Sequence, residues 1–152
     1  MAFDARPLRL CVHRRHRAGG KAVRIWLRVP SDVAAVEEAV EVVTRHCLSG
    51  AGNPEPLRFR LQTALAEALA NAVLRGNHGD AAKSVHLAAD LEPEQIRIYI
   101  SDEGNGFDHD APRAEPTLED EGGRGLFLLR ALVDALHYNE RGNALCMTLR
   151  RR

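Results

Sequence analysis

The sequence predicts a two-layer α/β (α+β) sandwich, with a mixed, mostly antiparallel sheet covered on one face by three helices. Two observations lead there. Short alternating strands come in adjacent, hairpin-like pairs, in the order β-β-α-α-β-β-loop-α-β-β. The helical stretches carry apolar faces, as helices lying on a sheet must. At 152 residues, 45% hydrophobic and 28% charged, the chain can bury one sizeable core, and chain-wide disorder is excluded.

Each element has its own signal. Leu8 to His13 and Ala22 to Val29 alternate as strands around Gly19-Gly20. Pro30-Ser31-Asp32 stops the second strand and caps a helix, whose stripe is Val33, Val36, Val40, Val43 and Cys47. A Gly/Pro/Asn loop over 49–56 precedes a second helix from Leu57 to Arg75. That helix is apolar nearly all round, which predicts burial, and its polar sector is Arg60, Thr63, Glu67 and Asn71. Gly76-Asn77-His78-Gly79-Asp80 ends it. Ser84 to Ala89 and Gln95 to Ser101 form a strand pair turning at Glu92-Pro93-Glu94. Residues 103–122 are a long polar loop, a length usually tied to function or disorder. A third helix spans Gly125 to Leu136, and strands at His137 to Asn139 and Ala144 to Leu149 close the chain.

Lys plus Arg and Asp plus Glu are both 21, so no global charge recruits nucleic acid or a membrane surface. The charge is uneven: residues 6–17 are basic, with five arginines and two histidines, and residues 102–121 are acidic. The basic run reads as a solvated strand end or as an arm for an acidic partner. No apolar run spans a bilayer, and the start lacks an apolar signal core. Cys11, Cys47 and Cys146 are odd in number and widely spaced, as suits reduced packing thiols in a cytoplasm. None of the histidines shows metal-ligand spacing.

Three short stretches carry chemistry. In Glu67-Ala68-Leu69-Ala70-Asn71 a carboxylate and a carboxamide lie one helical turn apart. The carboxylate can take a proton from an attacking hydroxyl, and the amide oxygen can ligate Mg²⁺. The bland alternative is a polar edge on a core helix. In Asp102-Glu103-Gly104-Asn105-Gly106-Phe107 an acid just past a strand can accept from an exocyclic amine, and the glycines admit a flat ring. The alternative is a plain turn; Phe107 either flanks the ring or plugs the loop base. Gly122-Gly123-Arg124-Gly125-Leu126 opens an apolar helix whose free N–H groups suit phosphate, or it is only a glycine-rich helix entry. No GxxxxGK[ST] occurs, which excludes a P-loop.

In this order and spacing, the three stretches resemble the N, G1 and G2 boxes of the GHKL (Bergerat-fold) ATPases. The run GGRGLFLLRALV resembles most the anti-sigma-factor serine kinases of bacterial partner-switching systems. The resemblance covers roughly residues 24 to 150. It implies the Bergerat, histidine-kinase-like ATPase fold over 21–152, with residues 1–20 as a basic N-terminal segment of open role. It further implies Glu67 as general base, Asn71 as ligand to Mg²⁺, and Asp102 as reader of the adenine amine. Gly104, Gly106 and Phe107 would lie beside the ring, residues 107–122 would form the lid, and Gly122, Gly123, Arg124, Gly125 and Leu126 would meet the phosphates. The implied activity is a cytoplasmic serine/threonine kinase using ATP and Mg²⁺. Its implied partners are a STAS-type anti-sigma-factor antagonist and a sigma factor, with homodimerisation, and without direct nucleic acid or membrane contact. Two positions depart: Arg75-Gly76 stands where the family often has His-Gly, and Gly142-Asn143-Ala144 where many members supply a threonine. The rival readings are a catalytically silent nucleotide-binding module that sequesters a partner and, last, a detached histidine-kinase catalytic domain.

Overall fold

A computed structural model describes residues 8–17, 20–49, 55–105 and 121–151. The order is β1 (Arg9–Arg17), β2 (Gly20–Pro30), α1 (Val33–Cys47), α2 (Glu55–Asn71) continued by a π turn (Ala72–Gly76), β3 (Ser84–Leu91), β4 (Gln95–Ser101), α3 (Glu121–Leu132), β5 (Ala135–Tyr138) and β6 (Ala144–Arg150). The sheet runs β1-β2-β3-β4-β6-β5, and every pairing is antiparallel. The expected mixed sheet is thus wholly antiparallel among the described residues. After α3 the chain enters the short edge strand β5, and the hairpin that follows lays β6 between β5 and β4.

Alternation decides which strand face is buried. Ile25, Leu27 and Val29 on β2 sit inward with Val85, Leu87 and Ala89 on β3, Ile96, Ile98 and Ile100 on β4, and Met147 and Leu149 on β6. The helices supply the facing side. Val36, Ala39, Val43 and Cys47 come from α1; Leu57, Leu61, Leu65 and Leu69 come from α2; Leu129 comes from α3. The four α2 leucines are fully buried, each worth about 1.5–3 kcal/mol relative to an exposed side chain. Helix α2 is the middle of its layer, touching both α1 and α3.

Several details differ from the expected ones. Strand β1 continues through the basic run and pairs with β2 up to Arg17↔Gly20. Val33 is 57% exposed, because Asp32 caps α1 through the Ala34 N–H (3.1 Å) and Val33, the first helical residue, points outward. Helix α3 begins at Glu121 and stops at Leu132, earlier than expected at both ends. Its stop is enforced by Asp134, whose N–H bonds Thr148 O (2.9 Å) and whose carboxylate accepts from the Arg150 N–H (2.7 Å) and from Arg60 (3.4 Å). Those bonds convert the next residues into β5.

The face of the sheet away from the helices is lined differently. The Arg24 guanidinium pairs with Asp90 across the β2–β3 register and lies 5.5 Å from the Trp26 ring centroid and 5.9 Å from that of Tyr99. A concave hollow of about 880 Å³ opens here, lined by Trp26, Ala88, Tyr99 and Cys146 among others. Its lining reaches Ser101, the residue before Asp102, and Ala144 beside the Asn143 segment. Of the cysteines expected to be packing residues, Cys47 is buried and Cys11 is exposed; burial pushes the Cys47 thiol up to about 12. No helix among the described residues is long and apolar enough to cross a membrane.

Candidate nucleotide site

The site forms where α2 ends. Glu67 and Asn71 lie one turn apart on α2 and both are half-buried, so their side chains stand on one side of the helix. Glu67 takes part in neither of the ion pairs formed among the described residues, Arg24–Asp90 and Arg60–Asp134. The Asn71 side chain makes no capping bond to the turn that follows.

That turn is a π turn, closed by the Asn77 N–H onto Ala72 O at 2.9 Å. Such wide turns inside helices recur at functional sites. Here it delivers Gly76 to Asp102. A Cβ built on Gly76 would overlap the Asp102 carboxylate, coming within 2.8 Å of Oδ1, so any side chain at 76 would push that carboxylate from its place. Asn71 stands roughly 7 Å along the axis before Gly76, and Glu67 one turn earlier, at a rise of about 1.5 Å per residue. His78 (φ 52°) and Gly79 (φ 66°), both left-handed, then reverse the chain toward β3.

Asp102 directly follows β4. Its N–H donates to Asn143 O at 2.9 Å, and its Oδ1 accepts from the Gly104 N–H at 2.8 Å. The Asn143 segment is one of the departures noted above, and it meets the site through a backbone carbonyl. Asn139 holds that segment by accepting from the N–H groups of Gly142 (2.8 Å) and Asn143 (3.1 Å). Burial raises the Asp102 carboxyl above the ordinary carboxylate range, opposed by the Gly104 N–H, Lys83 and His78.

The sign of that shift gives a stability prediction. A raised native value means that the folded state holds the proton more tightly. Stability therefore falls as pH rises from the ordinary carboxylate value through the raised one, and levels above it. Asp102→Asn, which removes the buried charge and keeps an oxygen for the Gly104 N–H, is expected to melt at or above the wild-type temperature at pH 7.5. Its margin over wild type should shrink at pH 4; a lower melting temperature at both pH values would contradict this.

Other expected site residues are placed only in part. Gly106 and Phe107 lie outside the described residues. Gly122, Gly123, Arg124, Gly125 and Leu126 fall inside α3, which starts at Glu121. The glycine cluster thus lies within the start of the helix and not in the loop before it; its side chains are outside the described part. Helix α3, whose start carries the third motif, rests against α2, the helix that carries the first. Asn77, by contrast, went unrecognised in the sequence and is the buried polar centre of the region, fully enclosed.

The chain matches the histidine kinase-like ATPase domain over residues 29–149. The chain belongs to the histidine kinase-like ATPase family. Its β1 strand precedes the matched part of this ATPase domain. Serine-protein kinase RsbW of Staphylococcus aureus (strain JH9) is 31% identical over 135 residues, covering 82% of this chain and 84% of that protein. Serine-protein kinase RsbW of Oceanobacillus iheyensis is 29% identical over 118 residues, 69% and 75% of the two chains. These relatives support the anti-sigma-factor kinase branch of this ATPase family. Among solved structures, the histidine kinase domain of the Erythrobacter litoralis EL346 blue-light activated histidine kinase aligns with TM-score 0.49 and 20% identity, over 80% of this chain and 60% of that one.

Proposed function

We propose that this protein is a cytoplasmic anti-sigma-factor serine kinase. It would use Mg-ATP to phosphorylate a serine of a STAS-type antagonist, acting as a homodimer and releasing or sequestering a sigma factor accordingly. The observation that carries the reading is the α2 terminus, where one continuous helix presents Glu67 and Asn71 and then, through its π turn, packs Gly76 on Asp102.

The roles follow from the chemistry of the groups. Asp102 accepts from the adenine amine, and the small Gly76 and Gly104 let the ring approach. Helix α3, which begins at Glu121 and carries Gly122, Gly123 and Arg124 in its first turn and Gly125 and Leu126 just after, offers the free N–H groups of that turn to the phosphates. Glu67 takes the proton of the serine hydroxyl as its oxygen bonds to the γ-phosphorus; the bond from that phosphorus to the β–γ bridging oxygen breaks, and ADP leaves. Mg²⁺, when bound, neutralises charge on the phosphates. Among the described residues no cluster of three His, Cys, Asp or Glu could hold a metal by itself. That fits a cation held jointly by the Asn71 amide oxygen and the nucleotide.

Incubation with a STAS-type antagonist and ATP labelled in the γ-position tests the proposal: label on an antagonist serine is the expected result. A silent nucleotide-binding module is the second reading, favoured by Gly142-Asn143-Ala144, where only a backbone carbonyl reaches Asp102. Tight complex formation without label would establish that alternative.

A further inference from the structure

We infer that Asn77 is a positioning residue for base recognition: its buried carboxamide locks the Asp102 turn to the end of α2 and thereby sets the preference of the site for adenine. The inference rests on the reading of Asp102 as the base-reading acid.

Asn77 is 0% exposed, and its amide is fully used. Nδ2 donates to Ser31 Oγ at 2.9 Å and to Ser84 O at 3.0 Å, while Oδ1 accepts from the Glu103 N–H at 2.8 Å. The amide orientation is fixed by chemistry, since a carbonyl cannot donate and a backbone N–H cannot accept. Ser31 passes its own proton on to Lys83 O at 2.9 Å. A buried amide is tolerated only when satisfied in this way. A residue needed merely to fill the space could be apolar.

One of the three bonds reaches the Asp102 turn, while the other two anchor Asn77 to Ser31 and Ser84. Glu103 N–H belongs to the peptide leaving Asp102, so Asn77 pins that peptide, as Asn143 O pins the N–H entering it. Through its own backbone, Asn77 closes the π turn on Ala72 and accepts from Asp80 N–H (3.0 Å), which fixes the adjacent Gly76 against the Asp102 carboxylate. Glu103 adds a second tie by accepting the Ser84 N–H at 2.6 Å. Oδ1 is bonded to Gly104 N–H and Oδ2 lies against Gly76, and under the proposed reading this carboxylate would meet the adenine amine. Loss of the Asn77 amide frees the Glu103 peptide and lets the carboxylate drift, without touching the residues that would hold phosphate.

The test is the ratio of dissociation constants for ITP and ATP, measured with Mg²⁺ by calorimetry on the full chain, well below every melting temperature. Hypoxanthine carries an oxygen where adenine has its amine, so wild type should favour ATP by about tenfold or more, as expected when a buried charged partner is left facing an acceptor. Asn77→Ala should bring the ratio to within about threefold of unity. Ser31→Ala, which loosens the clasp on the side remote from Asp102, should lower the melting temperature and keep the preference. A merely structural Asn77 would lower stability alone, leaving the ratio as in wild type, and that result overturns the proposal. No preference in wild type would instead overturn the reading of Asp102, and the inference with it. Should Asn77→Ala fail to fold, hydrogen exchange in the wild type decides: the Glu103 amide should be strongly protected, and exchange at the rate of an open loop refutes the clasp.

Discussion

Glu67→Gln is expected to lower phosphoryl transfer to the antagonist by about a hundred- to ten-thousandfold, the range for loss of a general base, with ATP affinity near wild type. The side chain is half-buried on α2, outside the described ion pairs, so glutamine fits the same space. The fold should be unaffected, because the residues that bind α2 to the core are the buried leucines at 57, 61, 65 and 69. Single-turnover transfer beside a calorimetric affinity measurement separates the two effects. Unchanged transfer would rule out Glu67 as the base; equal losses in affinity and transfer would make it a binding residue.

Gly104→Ala is the second change with a large expected effect. A Cβ there would overlap the Gly76 carbonyl oxygen, 2.8 Å from the Gly76 carbonyl carbon and 2.9 Å from Asp102 Oδ1. The obstacle is backbone, which cannot rotate aside as a side chain does. The turn must move, and the Gly104 N–H to Asp102 bond at 2.8 Å goes with it. We expect nucleotide affinity to fall by about a hundredfold, the loss expected when several converging polar contacts are misaligned. Stability should fall by about 1–3 kcal/mol, the usual cost of overpacking, read by urea denaturation. Wild-type values for both quantities would refute the close contact between the two glycines.

Much of this arrangement is legible in the sequence because it rests on local periodicity. The alternation of Ile96, Ile98 and Ile100 fixes β4 and hence the position of Asp102, and the 57–61–65–69 leucine stripe fixes α2 and hence Glu67 and Asn71. Where local signals were overridden, the sequence misleads. Gly122 and Gly123 read as the end of a loop before a helix starting at Gly125, yet the helix takes them in from Glu121. Leu136 belongs to the apolar stripe of α3 by spacing, but Asp134 ends the helix through partners on β6 and α2, which no local pattern encodes. The first strand reads as ending at His13, whereas β1 runs on through the basic residues to Arg17 by pairing with β2.

Asn77 was the most consequential omission. In Gly76-Asn77-His78-Gly79-Asp80 it reads as one more turn residue, and its partners Ser31 and Glu103 are 46 and 26 positions away. The physical clue was present in form only: helix-ending asparagines usually sit in solvent, and burial of this one depends on three bonds that exist only after the sheet is assembled. Gly76 is similar. Its role is steric exclusion at Asp102, a contact between elements that pair only in the folded chain.

The most direct test of the central claim is Mg²⁺-dependent binding of ATP and ADP to the full chain by calorimetry, with Asp102→Asn as the paired variant. Saturable, Mg²⁺-dependent binding that is lost in this folded variant is the predicted result, and it would place the nucleotide against Asp102 at the end of α2. Binding of equal strength in both proteins would contradict that placement, and no binding in the wild type would contradict the ATP-dependent function itself.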